Sequence, residues 1–212
     1  MRTALTLSLA TVAALLAVHA QAADQPRNVA PFTTISNGGP VNLTIEVGKA
    51  QSVVVSGSDD YLEDLRTEVV DGELRIKMRN DSHIDNRHWN DMKVTITVPR
   101  LTAFTMGGAG QTTLTHFSGD SLDIRFGGAG GLKADGTVKH LKLNVGGVGS
   151  IDTRDLHADS VDVNVGGVGS VKVWAGQSLD ASVGGVGSLT YYGDPKQVNT
   201  RGGGLGSISK GK

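Results

Sequence analysis

Hydrophobic and polar residues alternate in six short segments in the second half of the chain. Each segment has three mostly apolar positions spaced two residues apart, with mostly polar residues between them. The spaced positions are Thr102/Phe104/Met106, Leu122/Ile124/Phe126, Leu141/Leu143/Val145, Val161/Val163/Val165, Leu179/Ala181/Val183 and Val198/Thr200/Gly202. Because side chains alternate faces along a β-strand, this pattern predicts strands with one face toward a core and the other toward water.

A glycine motif follows each of these segments. It reads Gly-Gly-Ala-Gly from Gly107 and Gly127, Gly-Gly-Val-Gly from Gly146, Gly166 and Gly184, and Gly-Gly-Leu-Gly from Gly203. The motifs start 20, 19, 20, 18 and 19 residues apart. One unit of this length cannot bury its inner face alone, whereas a stack of units can. The sequence therefore predicts an all-β fold, a parallel β-helix or β-solenoid. We expect it to be right-handed, with coils of about 19 residues, each made of two or three short strands separated by bends.

The glycines predict the corners of the coils. Glycine adopts backbone conformations with positive φ and allows neighbouring coils to approach closely. The residues between the glycines would then stack in register, and they are Ala109, Ala129, Val148, Val168, Val186 and Leu205. A second interpretation is that the glycines form a smooth stripe on which another surface docks. Along such a stripe two or three copies of the chain could pack, so we expect a monomer in equilibrium with a small homo-oligomer.

The first half of the chain is also β-rich but lacks the strict repeat. Alternating apolar residues at 41–47, 74–78 and 94–98 predict strands, and Asp71-Gly72 predicts a hairpin turn. Residues 61–65 could form one helical turn. We therefore expect an N-terminal β region at 23–100 that caps the solenoid repeats at 101–212, with one continuous domain over 28–208.

The first 22 residues resemble a signal peptide. Arg2 is followed by an apolar run at 4–18, which is too short to span a membrane, and Ala20-Gln21-Ala22 has the pattern of a cleavage site. We expect cleavage before Ala23, with the site after Ala20 as the alternative. A buried N-terminal helix is the other interpretation of this segment. The chain contains no cysteine, so the sequence predicts neither a lipid anchor nor disulfides, and no later segment is long and apolar enough to cross a membrane.

Composition narrows the classes of partner. The formal net charge is −1, which argues against nucleic acid and against an anionic membrane surface. The repeat accounts for the 30 glycines among 212 residues.

Several segments in their order along the chain resemble the putative auto-transporter adhesin family, head GIN domain. They are FTTI at 32–35, VNLTI at 41–45, VVVSG at 53–57, DGELRI at 71–76, VTITVP at 94–99 and YYGDP at 191–195, together with the serial glycine-rich coils. Family members usually carry Ser-Gly-Ala-Gly where this chain has Gly-Gly-Ala-Gly or Gly-Gly-Val-Gly. The resemblance covers residues 30–208 and implies a parallel β-helical fold in the cell envelope.

Known catalytic and metal-binding patterns fit poorly. A calcium-binding Gly-Gly-x-Gly-x-Asp repeat requires aspartate at the sixth place, where this chain has Thr112, Leu132, Ile151, Val171, Leu189 and Ile208. A phosphate-binding loop and a dinucleotide fingerprint both require a helix after the glycines, and none is predicted.

Two clusters remain as candidates. Asp123, Asp162 and Asp180 recur on the outward face, with Arg125 beside the first, as a β-helical polysaccharide lyase or hydrolase would require. Lys142 interrupts the series, so we interpret it as a solvated face. The second cluster combines two histidines with two aspartates in a polar loop, and it could hold a transition metal or simply be a loop in which Trp89 packs on the solenoid. Its residues are His83, Asp85, His88 and Asp91.

We therefore predict no catalytic, cofactor-binding or metal-binding residues. The expected function is that of a non-catalytic, exported envelope protein with an adhesin-like β-helical surface for binding or assembly. The expected partner is an envelope protein or a glycan. We favour the periplasm over the cell surface or the medium. The alternative is a carbohydrate-active β-helix enzyme, which converging carboxylates in a cleft would favour.

Overall fold

The computed structural model describes residues 23–79 and 92–212. The described part of the chain is nearly all β, and stacked parallel coils form a β-solenoid of about five turns. The predicted fold class is therefore confirmed. No helix in the described part of the chain is long and apolar enough to cross a membrane.

The chain forms fifteen described strands and one short helix. In chain order they are β1 (Ala23–Pro26), β2 (Thr34–Asn37), β3 (Asn42–Val47), β4 (Ser52–Gly57), α1 (Asp59–Asp64), β5 (Leu65–Val70), β6 (Glu73–Met78), β7 (Lys93–Val98), β8 (Ala103–Met106), β9 (Ala109–Phe126), β10 (Ala129–Val145), β11 (Val148–Val165), β12 (Val168–Val183), β13 (Val186–Tyr192), β14 (Gln197–Gly202) and β15 (Ser207–Lys210).

The central coils differ from the prediction in one respect. Strands β9 to β12 are 16 to 18 residues long, so each runs through a whole coil instead of breaking into short strands. The bends are present as register shifts, for example between Lys133 and Asp135. Because adjacent coils bend at nearly the same place, hydrogen bonding between them resumes directly after each corner.

The core consists of apolar columns that run along the solenoid axis. Leu122, Leu141, Val161 and Leu179 are register partners in successive coils, and each is at most 2% exposed. The positions two and four residues onward form parallel buried columns in the same strands. Burying each Val or Leu side chain stabilises the fold by roughly 1.5–3 kcal/mol. The predicted inward face is therefore confirmed for these coils.

Part of the N-terminal region adds parallel strands to this stack, and the rest of the region caps it. Strand β2 pairs in parallel with β6 on one side and β8 on the other, and β3 pairs in parallel with β7 and β9. Ile35 thus lies between Leu74 and Phe104 in one column. The order of coils in space is consequently not their order in the chain, which is why the sequence shows no strict repeat here.

Antiparallel strands close the N-terminal end of the stack. Strand β5 pairs with β6, β4 pairs with β7, and β1 pairs with β4, all antiparallel. Asp71 and Gly72 have φ values of 51° and 76°, which is the geometry of the predicted β5–β6 hairpin turn. The predicted helical turn is present as α1, with Leu62 buried against the core.

Glycines form the corner between β2 and β3 and the corresponding corner of each later coil. A Cβ atom on Gly128 would overlap the carbonyl oxygen of Gly108, and one on Gly147 would overlap that of Gly128. The predicted close approach between coils is therefore confirmed. The structure also adds a copy that the motif search missed, because Pro40 pairs with Ala109 and follows two glycines of its own.

Candidate functional site

A groove runs along the outside of the solenoid, across strands β9, β10, β11, β12 and β14. Its volume is about 800 Å³. Two columns of outward-facing polar residues line it, and we call this surface the polar groove. The first column is Ser121, His140, Ser160, Ser178 and Gln197, and the second is Asp123, Lys142, Asp162, Asp180 and Asn199.

The alternating pattern of the strands positions both columns. Leu122 points into the core, so its neighbours Ser121 and Asp123 point outward on either side of it, and the same alternation holds in the next three coils. Register partners in the two columns follow one another from β9 through β10, β11 and β12 to β14. Because paired strands lie about 4.8 Å apart, each column presents one polar side chain per 4.8 Å or so.

The charges of the polar groove are only partly neutralised within the chain. Arg125 donates to Asp123 at 2.5 Å, and Arg201 donates to Asp180 at 2.5 Å. Asp180 also accepts a hydrogen bond of 3.0 Å from Asn199.

At the centre of the polar groove two charged side chains face solvent. Lys142 and Asp162 are exposed and lie on adjacent strands as register partners. Neither forms an ion pair or a side-chain hydrogen bond within residues 23–79 and 92–212. Both are therefore available to a ligand.

The structure adds to the interpretation of the aspartates predicted from the sequence. Asp123, Asp162 and Asp180 were expected on a solvated outward face, and all three line one groove on the outer surface. The neighbouring serine column was not predicted. Its signal is present, since Ser121, Ser160 and Ser178 each stand directly before an inward Leu or Val.

A second cluster, which we call the aromatic corner, lies at another corner near the C-terminal end. The rings of His157 and Trp174 are stacked with centroids 4.4 Å apart, and Tyr192 follows Trp174 in register. The guanidinium carbon of Arg154 lies 5.5 Å from the centre of the Tyr192 ring. Arg154, Trp174 and Tyr192 contribute to the lining of a cavity of about 550 Å³.

An ion pair holds Arg154 in this position. Its Nε and Nη2 donate to the two carboxylate oxygens of Asp152 at 2.9 and 2.7 Å. These hydrogen bonds lower the pKa of Asp152 and raise the pKa of Arg154. None of the aromatic-corner residues was predicted as a candidate from the sequence.

The described residues were also compared with the requirements of a metal-binding site. Among residues 23–79 and 92–212, no group of three or more histidines, aspartates and glutamates could hold a metal ion. The predicted cluster of His83, Asp85, His88 and Asp91 lies outside the described residues, and so does the predicted signal peptide at 1–22.

Comparison with known proteins identifies a family whose model matches most of the chain. A family model described as "Putative auto-transporter adhesin, head GIN domain" matches residues 31–195. No protein with a curated description matches the sequence.

Three crystal structures resemble the fold. The first, described as a putative adhesin from Bacteroides fragilis, is 26% identical with a TM-score of 0.71, covering 91% of this chain and 98% of that chain. A putative lipid binding protein from Parabacteroides distasonis is 20% identical with a TM-score of 0.47, covering 91% and 98%. A putative adhesin from Parabacteroides merdae is 13% identical with a TM-score of 0.49, covering 91% and 97%.

Proposed function

The chain belongs to the family described as "Putative auto-transporter adhesin, head GIN domain", and from this premise we propose that it is a non-catalytic, exported envelope protein that binds an extended glycan along the polar groove. The observation that carries the proposal is the pair of polar columns, which place a hydrogen-bonding side chain at both positions of five successive rungs. A polymer with a regular repeat is the ligand that can use such a surface along its whole length.

The chemistry of the polar groove favours sugar hydroxyls over other polymers. Its polar side chains are hydroxyls, amides, an imidazole, carboxylates and an ammonium group, which together offer both donors and acceptors. A nucleic acid would meet three aspartates and a single lysine, and its phosphates would be repelled. A peptide could not add as a strand at β9 to β12, because these strands are already paired on both sides.

The sequence supports an exported location. The segment at 1–22 has the three regions of a signal peptide, and the family description is that of an adhesin. We propose the periplasm in preference to the surface. Release of the protein by osmotic shock, with a mature mass that begins at Ala23, tests both points. Recovery in the intact-cell surface fraction would contradict the periplasmic location.

Calorimetric titration with neutral linear oligosaccharides of about two to about seven sugars (cello-, xylo- and chito-oligosaccharides) tests glycan binding. At least one series should bind, with affinity that rises with chain length up to about five sugars. Asp162→Ala and Lys142→Ala should each weaken binding about tenfold, because a hydrogen bond to a charged group is worth about 1.5 kcal/mol or more.

The matched control is Asp155→Ala. Asp155 is an exposed aspartate on the same strand as Asp162, at a different corner of the coil. This variant should bind like the unsubstituted protein. Equal losses in Asp155→Ala and Asp162→Ala would place the binding surface elsewhere.

The second candidate function is a glycan hydrolase, and the observation that favours it is the adjacent pair Asp162 and Asp180. Their strands lie about 4.8 Å apart, close to the carboxylate separation of retaining glycosidases. Asn199 and Arg201 already donate to Asp180, so its oxygens are partly committed to contacts within the chain. The test is whether new reducing ends appear when the protein is incubated with a glycan. Their appearance with the unsubstituted protein, and their absence with Asp162→Ala, would mean that the function is hydrolysis and not binding alone.

A further inference from the structure

Charge alternates along part of the second column of the polar groove. Asp123, Lys142 and Asp162 occupy the same position in three successive rungs, where β9, β10 and β11 pair in register. Their charges are negative, positive and negative in that order. The column therefore changes sign from each of these rungs to the next, with a period of two rungs.

The first column strengthens the difference between two of these rungs. His140 lies two residues before Lys142 on β10, and both side chains face the groove. The ammonium group of Lys142 and the imidazole of His140 both donate hydrogen bonds. The register partners of these two residues on β11 are Ser160 and Asp162, which offer a hydroxyl and a carboxylate. One rung is thus suited to an anion, and the next rung is suited to a cation.

The two central charges are not neutralised within the chain. Asp123 accepts a hydrogen bond of 2.5 Å from Arg125, which offsets its charge. Lys142 and Asp162 have no ion-pair partner in the part of the chain that the structure describes, although their strands are adjacent. Each can therefore pair with a group of opposite sign on a ligand without giving up a contact inside the protein.

We propose, on the basis of the glycan-binding function above, that the ligand is a zwitterionic glycan in which uronic acids alternate with amino sugars. A uronic acid over the rung of His140 and Lys142 places its carboxylate against their donors. The amino sugars on either side of it place their ammonium groups against Asp123 and Asp162. The two-sugar repeat of the glycan then has the same period as the charge of the column.

Polymers with other charge patterns fit this part of the groove less well. A chain of uronic acids alone brings carboxylates against Asp123 and Asp162, and a chain of amino sugars alone brings an ammonium group against Lys142. Like charges at such short distances repel. The side chains on one face of an extended peptide recur about every 6.6 Å, whereas the rungs are about 4.8 Å apart. A charged peptide would therefore lose register within about two rungs.

Hyaluronan hexasaccharides allow the charges to be varied on a single backbone. The N-deacetylated form alternates glucuronic acid with glucosamine and is zwitterionic. Hyaluronan itself carries only the carboxylates, its deacetylated and carboxyl-reduced form carries only the amines, and its carboxyl-reduced form is neutral. Calorimetric titration in low salt at about pH 6, where such an amine is protonated, measures the dissociation constant of each form.

The zwitterionic hexasaccharide should bind best. Its dissociation constant should be about tenfold or more below that of the neutral form, since each exposed charge pair is worth up to about fivefold in affinity. Each singly charged form should bind more weakly than the zwitterionic form. These differences should shrink in about 1 M salt, because the contacts are exposed to solvent.

Substitutions of similar size assign each charge to its residue. Asp162→Asn should remove most of the difference between the zwitterionic form and hyaluronan, and Lys142→Gln should remove most of the difference between the zwitterionic form and its carboxyl-reduced form. Because both new side chains still form hydrogen bonds, binding of the neutral form should change by less than about threefold. The matched control is Asp155→Asn, an exposed aspartate on β11 at a different corner, which should preserve both differences.

Each other result contradicts a stated part of the proposal. Equal binding of the four hexasaccharides would overturn the charge preference and leave the glycan-binding function in place. Tighter binding of hyaluronan, or of the form with amines alone, would assign a glycan with one kind of charge. An alternating Lys-Glu hexapeptide that binds as tightly as the zwitterionic form would replace the glycan by a peptide. Failure of all four forms to bind would exclude a zwitterionic glycan, and titration with the cello-, xylo- and chito-oligosaccharides would then decide separately whether the polar groove binds glycans.

Discussion

The carbonyl oxygen of Gly149 occupies the space that a Cβ atom on Gly169 would need. Gly169 also has a φ of 145°, a conformation that residues with a side chain rarely adopt. We predict that Gly169→Ala lowers the free energy of unfolding by about 3 kcal/mol, the sum of overpacking and backbone strain. Urea denaturation followed by circular dichroism measures the change.

Gly146 provides the matched control for this substitution. It belongs to the same motif one coil earlier, but nothing lies within 4 Å of the position of its missing Cβ. Gly146→Ala should therefore change the free energy of unfolding by less than about 0.5 kcal/mol. Equal effects of the two substitutions would mean that close approach between coils is not what requires glycine.

A charge in the core should prevent the middle coils from forming. Val163 is 1% exposed and lies between Leu143 and Ala181 in a buried column. Val163→Asp would bury an unpaired carboxylate there, which costs several kcal/mol. We expect loss of most of the strand signal in circular dichroism. Asn164→Asp, on the outward face of the same strand, should leave the spectrum unchanged, and a native spectrum for Val163→Asp would contradict the inward assignment.

The ion pair between Asp152 and Arg154 should make a pH-dependent contribution to stability. Hydrogen bonds from Arg154 lower the folded-state pKa of Asp152 below its ordinary value of 3.8. The contribution is therefore complete above about pH 4 and is lost as the pH falls through the folded-state pKa. Asp152→Asn should lower the free energy of unfolding at pH 7 by less than about 1 kcal/mol, since the pair is partly exposed.

Comparison across pH separates this ion pair from a general effect of the substitution. The difference between Asp152→Asn and the unsubstituted protein should shrink as the pH is lowered from 5 to 3. Asp155→Asn removes a nearby exposed carboxylate and should show no such trend. A difference that is the same at pH 3 and pH 7 would assign the loss to something other than the charge of Asp152.

Metal removal should leave the fold intact. The sixth place of the glycine motif holds apolar side chains such as Ile151 and Val171, both buried, so the coils offer no oxygen ligands there. The melting temperature of the mature protein should move by less than about 1 °C when a chelator is added. A large fall would point to a structural metal, and the variants His83→Ala and His88→Ala would then test the loop cluster.

Local spacing was enough to predict the coils, whereas features that depend on distant contacts were hidden. The alternation of Val163 and Asn164 sets the inner and outer faces, and this information is complete within each segment. The position of β2 between β6 and β8 depends on pairing between segments that no local pattern connects. The copy of the glycine motif that contains Pro40 is not recognisable in the sequence, because proline and valine replace the last two motif residues.

The two candidate sites were only partly visible in the sequence for a related reason. The aspartate column follows from the repeat, but the concave surface beside Leu122 that makes it a groove depends on the three-dimensional path of the coils. In the aromatic corner, a register shift between Thr153 and His157 leaves residues 154–156 without partners in β12. That bulge lets Arg154 reach Tyr192, and sequence spacing alone does not reveal it.

The exchange of coil order near the N-terminus determines how the chain can assemble. Thr153 donates to a carbonyl oxygen only 19 positions away, in the next coil. Thr34 bonds to a carbonyl oxygen 38 positions away, and Thr102 to one 69 positions away. Closing long loops costs more entropy and slows folding. The C-terminal coils can therefore nucleate on their own, while β2 must wait for strands on both sides of it. The part of the solenoid that is synthesised first is thus expected to be among the last to fold.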